Sequence, residues 1–367
     1  MFGLLFALAS AASVTPVRHD HLDTIRLVSW QPSDVICAGA VVAPLRMEIP
    51  ATVVVRSVDP APMAQPIYHF RIDVFGRPLS IRPESPLADD GPVSSDDFEP
   101  ALAGSRFPTA QSRTECTVHY MPRQSPIRTA SIGQLAAVPP DGDLTFDEFT
   151  EALRRPGDTC ATRPAPRNVT YPPIDTLPDI SGHVGRVLVR FDVDANGATT
   201  GVELLYNNGT AELASMVLQA TRESRFAPAA RHGCVAGFRV PVRQPLAPPP
   251  APSHDLFLDP KHRCPSNASQ LVHVEDVPFP EPFRRRNIEG WAEMRFDIAA
   301  DGTIENLETV RAEPAAAFGE QAKIVLIAGH GDPTPNGYVG CVTRIRFKLD
   351  DSEPAGVTGG KPDTIGH

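Results

Sequence analysis

The clearest pattern along the chain lies at residues 185–197, GRVLVRFDVDANG. Val187, Val189, Phe191 and Val193 alternate with Leu188, Arg190 and Asp192. A period of two with one wholly apolar face predicts a strand, and Asn196-Gly197 supplies the positive backbone angles of a tight turn. The pattern returns at residues 290–302, GWAEMRFDIAADG, and in worn form at residues 68–76, YHFRIDVFG. Three copies of one strand-turn unit mark the chain as an array of repeats. A return strand follows each turn. Helical spacing comes next, with Leu213, Met216, Val217 and Ala220 on one face of 211–224, and Phe318, Ala322 and Val325 on one face of 315–328. In the first copy, Asp96 and Asp97 are expected to cap a short helix through Leu102. Last strands are predicted at 117–121, 237–242 and 342–349. Each unit therefore reads β-β-α-β, an α+β class of fold. A small three-stranded antiparallel sheet carries a helix packed on its apolar face.

This pattern divides the chain. Residues 22–122, 158–245 and 262–350 hold the three units, the first degenerate. Residues 123–157 form a connector with a helix at 145–155. Residues 246–261 form a proline-rich linker, expected to be extended and semi-rigid, and 351–367 a disordered tail. The six cysteines fall two per unit, one before each strand-turn and one after, at separations of 79, 74 and 77. The repeat selects the pairs Cys37–Cys116, Cys160–Cys234 and Cys264–Cys341. No C-x-x-C spacing is present for zinc or thioredoxin-type chemistry. One bridge per unit implies an oxidising compartment and contributes about 2–4 kcal/mol to a small core.

The start of the chain changes the picture further. MFGLLFALASAASV is apolar for fourteen residues, short of the roughly 20 that span a membrane. Ala9-Ser10-Ala11 resembles a signal-peptidase site, so residues 1–12 are expected to be a signal peptide, although no Lys or Arg precedes Arg18. Of the 40 prolines, most lie between the strand-turn units. The formal charge of −10 argues against a general nucleic-acid binder and against adhesion to anionic membrane, both of which need clustered cations.

The residues now carry a resemblance. Tyr171-Pro172, the alternating run ending Phe191-Asp192-Val193, the Gly197 turn, a helix and Arg225-Phe226-Ala227-Pro228-Ala229 before a final strand resemble the C-terminal domain of TonB-type energy transducers. The third unit is similar from Phe279-Pro280 through Ile288-Glu289-Gly290, Arg295-Phe296-Asp297-Ile298 and Asp301-Gly302 to Phe347, with Gly331-Asp332-Pro333 in place of the Arg-Phe-x-Pro string. The resemblance implies the fold, a periplasmic location in a Gram-negative envelope, and binding to outer-membrane transporters or other TonB-system proteins. A transducer's membrane anchor and long proline-rich arm have no counterpart in the pattern.

Chemistry is sparse. Asp192, Asp194, Asn196, Gly197 and Glu203 fit a calcium-loop spacing, but the flanking segment alternates as a strand, so a hairpin turn is expected. Asp141–Phe149 reads as a turn and helix cap. His19 and His21 lack a third ligand nearby, and His254, His262 and His273 read as surface loop residues. Arg284, Arg285 and Arg286 read as a solvated helix face. No catalytic residue, metal site or cofactor is expected. Three function classes stand: a periplasmic binding module, a structural envelope protein without a transport role, and, weakest, a hydrolase. The candidate partner surface is the last strand of the third unit: Val342, Thr343, Arg344, Ile345, Arg346, Phe347 and Lys348. Its basic face is expected to be open to solvent and its free edge able to accept an extended peptide as an added strand.

Overall fold

The computed structural model describes residues 21–57, 63–85, 96–109, 111–138, 144–177, 182–240, 244–265, 272–274 and 277–349. The expected signal peptide and tail, the start of the 141–149 segment, His19 and the end of the strand expected at 237–242 lie outside the described residues.

The first region contains β1 (Ile25–Pro32), β2 (Ile36–Cys37), β3 (Ala40–Val41), β4 (Val53–Arg56), β5 (Ile67–Ile72), β6 (Pro78–Pro83), α1 (Phe98–Gly104) and β7 (Arg113–Pro126). Seven strands form one sheet in the order β3-β2-β7-β1-β4, with the β5–β6 hairpin also on β7. The three-stranded sheet expected here is thus extended. β7 does not stop near Pro122 but continues to Pro126, and its outer edge is filled by the chain's own N-terminal strands. Pro32 pairs with Tyr120 and Arg26 with Pro126. Cys116 pairs with Cys37 on this edge and with Phe70 on the other.

Two connector helices follow, α2 (Ile132–Ala136) and α3 (Phe146–Ala152). Each starts with a capping box, Ser131 with Gln134 and Thr145 with Glu148. They wedge Leu135 and Phe149 between Leu27 and Val54 of the first sheet and Leu188 and Val235 of the second. Arg56 grips Glu148 through two bonds of 2.7 and 2.9 Å, which with the Thr145 cap pull its carboxyl down to about 2.

The second region holds β8 (Pro166–Asn168), β9 (Gly185–Val193), β10 (Thr199–Asn207), α4 (Ala211–Glu223), β11 (Arg225–Phe226) and β12 (Arg231–Val240). Its sheet is ordered β10-β9-β12. Leu213 and Val217 of α4 pack on Val187, Val189 and Phe238. The third region holds β13 (Val272–His273), α5 (Glu281–Arg284), β14 (Gly290–Ile298), β15 (Ile304–Glu313), α6 (Ala317–Ala328), β16 (His330–Gly331) and β17 (Tyr338–Phe347). Its sheet is ordered β15-β14-β17.

Three local devices recur at matching offsets. Gly76, Gly197 and Gly302 have φ of +71°, +85° and +91°, and a side chain there would strike the facing backbone carbonyl of Phe107, Phe226 or Gly331. Only glycine suits such a place. Four residues on, Ser80, Gly201 and Asn306 have φ of 52°, 58° and 50°, and each return strand slips register there, as at a β-bulge. Directly before the second cysteine, Glu115, Gly233 and Gly340 again have positive φ. Disulfides join Cys37 to Cys116, Cys160 to Cys234 and Cys264 to Cys341.

The first and third regions share one core. Trp30, Phe98, Tyr120, Phe283, Phe318 and Phe347 belong to a single apolar cluster. Polar clamps fasten its rim. Glu313, fully buried, accepts from Arg71 (2.7 Å), the Ser80 N–H (2.7 Å), the Ser80 hydroxyl (2.8 Å) and Arg311 (2.9 Å). Arg286 is buried rather than on a solvated face, because Asp97 binds it through both oxygens at 2.7 and 2.5 Å. Asp97 consequently makes no side-chain cap to α1, and its second task is the Ala51 N–H at 2.7 Å. Glu99 caps the start of α6 from outside, accepting the Ala317 N–H at 3.0 Å, and burial raises its carboxyl to about 7. The second region joins through His183, whose Nδ1 lies 2.7 Å from Glu48.

Candidate partner-binding strand and the face behind it

β17 ends its sheet. Its inner edge pairs with β14 from Phe347 opposite Gly290 to Cys341 opposite Phe296. At its start the Val339 carbonyl accepts the Arg263 N–H at 2.8 Å, so the segment before Cys264 covers that corner. From residue 342 onward, among the described residues, no strand pairs with its outer edge.

The register divides the side chains of β17 between two faces. Thr343, Ile345 and Phe347 stand opposite Met294, Ala292 and Gly290, on the α6 side, where Phe347 meets Phe318 with ring centroids 5.4 Å apart. Val342, Arg344 and Arg346 stand opposite Arg295, Glu293 and Trp291. Arg346 and Lys348 are exposed. Arg344 is not: its Nε donates to Glu293 at 2.6 Å, and its Nη2 donates to the Pro252 carbonyl at 2.7 Å. The expected basic outer face is therefore corrected at this position, because the linker lies across it. Glu293 and Trp291 are buried beneath that linker. The Trp291 indole donates to the Pro249 carbonyl at 3.0 Å, and Arg295 donates to the Phe257 carbonyl at 3.0 Å. His254, expected to be a plain surface residue, places Nδ1 2.6 Å from Glu293.

Trp291 and Glu293 were not singled out by sequence reasoning, and His254 was read only as a surface loop residue. In a strand read as half-buried, positions 291, 293 and 295 fall on the supposed solvent face. The one signal was Glu293 flanked by Ala292 and Met294 in an otherwise apolar stretch.

Two carboxylates of the calcium-like spacing, Asp192 and Asp194, serve the backbone, and the third, Glu203, pairs with an arginine. Asp194 accepts the N–H groups of Asn196 and Ala198, both at 2.8 Å. Asp192 accepts the Gly233 N–H at 2.8 Å, and Glu203 pairs with Arg155 at 3.0 Å. Asp297 holds the Gly340 N–H at 2.7 Å in the same manner as Asp192. An open cleft of about 600 Å³ lies between β6, β15 and α6. Of the ionisable side chains that line it, Arg311 pairs with Glu313, Lys323 with Glu320, and Glu308 with Arg295. Among the described residues no helix is long and apolar enough to cross a membrane.

Fold and geometry together define an α+β chain of several antiparallel sheets and three disulfides. A family model described as the Gram-negative bacterial TonB protein C-terminal matches residues 168–243. That span runs from the end of β8 through β12, the whole of the second sheet and its helix. No curated protein matches the chain.

Proposed function

We propose that the chain is a periplasmic, non-enzymatic binding protein built from three tandem TonB C-terminal-like units, and that it binds outer-membrane transporters or other TonB-system components by strand addition. The family match at residues 168–243 supports the envelope setting, and the matched family is a non-enzymatic domain. The recurring turn glycine, bulge and pre-cysteine residue support the tandem reading in all three regions. The observation that carries the binding reading is the edge of β17. The corresponding edge of β7 already holds an added antiparallel strand, β1 with β2. The open edge at residues 342–348 is the place where a partner's segment does the same, through main-chain hydrogen bonds.

The test uses the full oxidised chain, because the third region shares its core with the first. Peptides from the periplasmic N-terminal segments of outer-membrane transporters are titrated by calorimetry. Successive residues of a strand direct their N–H groups to opposite edges, so Ile345→Pro and Arg346→Pro are compared. One of them removes an outward donor and abolishes binding with the circular dichroism spectrum intact, while the other breaks the β14 ladder. Arg346→Ala weakens binding modestly and flattens its salt dependence. Absence of binding to any such peptide at millimolar concentration sinks this reading and leaves a structural envelope role.

A further inference from the structure

Residues 245–253, PLAPPPAPS, are more than a spacer. Beyond a single bridge at Leu246 they form neither helix nor strand. Their contacts nevertheless repeat every third residue. The carbonyls of Leu246, Pro249 and Pro252 accept from the Glu289 N–H, the Trp291 indole and the Arg344 guanidinium, at 3.0, 3.0 and 2.7 Å. Solvent exposure keeps the same period: Gln244, Ala247, Pro250 and Ser253 are the exposed positions between 244 and 253. Three residues per turn, without internal hydrogen bonds, is the polyproline II helix.

The surface beneath has the chemistry that recognises this conformation. Trp291 lies flat enough to take the guanidinium of Arg344 5.5 Å and that of Arg311 5.9 Å from its ring centroid, while its N–H reaches out to a carbonyl. An aromatic platform with donors set one turn apart reads a preformed proline-rich helix through its carbonyls. His254 then fastens the far end of the segment beside Glu293.

We propose that this face of β14 and β17 is a recognition site for proline-rich polypeptide, with residues 245–253 as its resident ligand in cis and a proline-rich segment of a partner protein as its ligand in trans. The resident ligand is tethered at both ends, which sets its effective concentration on the order of millimolar. An identical segment from a second copy makes the same contacts without that advantage. A partner segment with the same proline spacing offers its carbonyls to the same three donors. This site is separate from the β17 edge, since it uses a sheet face and side-chain donors rather than a free ladder.

The probe is a fluorescein-labelled peptide with the sequence of residues 245–255, added to the full oxidised chain and followed by fluorescence anisotropy. Replacing Pro248, Pro249 and Pro250 by Gly keeps the tether but removes the preformed helix, so the resident ligand loosens. The expected result is a Kd at least tenfold lower for this variant than for the parent chain. Adding Trp291→Phe, which keeps a ring and deletes the N–H, reverses the gain about tenfold. Leu246→Ser is a second loosened variant in case the triple glycine fails to fold. Binding no tighter in a folded loosened variant, or binding indifferent to Trp291→Phe, overturns the proposal. A strap-exchanged dimer in light scattering overturns the assignment of the trans ligand to a partner and gives it to a second copy.

Discussion

Glu313→Gln tests whether the first and third regions fold as one body. The carboxylate is fully buried and receives donors from Arg71 and Ser80 across the interface and from Arg311 on its own strand. The amide keeps one acceptor oxygen, places an NH₂ group among donors, and leaves two arginines without their counter-charge. Each charge-assisted bond contributes about 1.5–3 kcal/mol, and removing one member of a buried ion pair costs about 3–5 kcal/mol. Arg71 and Arg311 reach water at their outer ends, with side chains 31% and 38% exposed, so the lower part of that range applies, about 3 kcal/mol. The chain has two tryptophans, Trp30 in the first region and Trp291 in the third, both buried. Urea unfolding of Trp30→Phe and Trp291→Phe backgrounds therefore reports each region by fluorescence. A shared core predicts coincident midpoints, both lowered together by Glu313→Gln. Arg71→Met alone also destabilises, and the double variant loses less than the sum of the singles, because the two changes break one interaction. Separate midpoints in the parent chain, or a shift confined to the Trp291 signal, would refute the shared core.

Other expectations follow from the same clamps. Burial raises Glu99 from 4.5 to about 7, so the stability tied to its proton is fully present below pH 4.5 and is lost as pH rises through 7. Glu99→Gln, with no charge to bury, should gain about 3 kcal/mol over the parent above pH 7 and little at pH 4.5, as read by thermal melts across that window. Arg286→Met strands Asp97 at the same interface and should cost about 3 kcal/mol, with Asp97→Asn restoring part of it; additive losses in urea melts would show that the two residues act separately. Asp194→Ala frees two turn N–H groups and should cost about 1 kcal/mol. Millimolar calcium should leave the melting temperature of the parent unchanged, and a calcium-dependent rise lost in Asp194→Ala would revive the ion-binding reading.

How far the fold could be read from residue pattern depends on whether the determinant was local. The hairpins at β9–β10 and β14–β15 were legible because period-two alternation and a turn glycine specify strand, face and reversal within about a dozen residues. Helix α4 was legible for the same reason, with Thr210 receiving the Leu213 N–H as its cap. The turns gave no warning of a second cover on each sheet. Leu188 and Arg190 occupy the nominal outer face of β9, yet both are buried, because α2, α3 and the first sheet close over them. Arg286 and Arg344 looked like solvent cations for a comparable reason. Their partners, Asp97 and Glu293, are brought near by tertiary packing at sequence separations of 189 and 51, and no short-range spacing encodes such a meeting. The linker's role was hidden in the same way. Its proline content announced an extended conformation, but the surface that reads it, on Trp291 and Arg344, was distributed over two other strands.

The closing strands of the three regions differ in what their outer edges meet, and that difference bears on the proposal that the third region binds a partner. β7 has its edge filled by β1 and β2 over residues 116–126. Filling that edge ties the N-terminal segment into the shared core, where Trp30 packs edge-on against Phe98 at 4.7 Å. β12 ends at Val240, directly before a proline in sequence, and a proline cannot donate to an added strand. Among the described residues, β12 past Cys234 and β17 past Cys341 both have an outer edge without a paired strand, but of the two only β17 is followed by no proline within the next two residues. An unprotected edge invites indiscriminate pairing, and natural sheets blunt such edges with cations. Arg346 and Lys348 stand exposed at this one, spaced to repel a second copy of the same strand while leaving the ladder open to a neutral or acidic segment. The open edge of β17 thus carries cations that oppose self-association, which agrees with the proposal that it is kept for a partner.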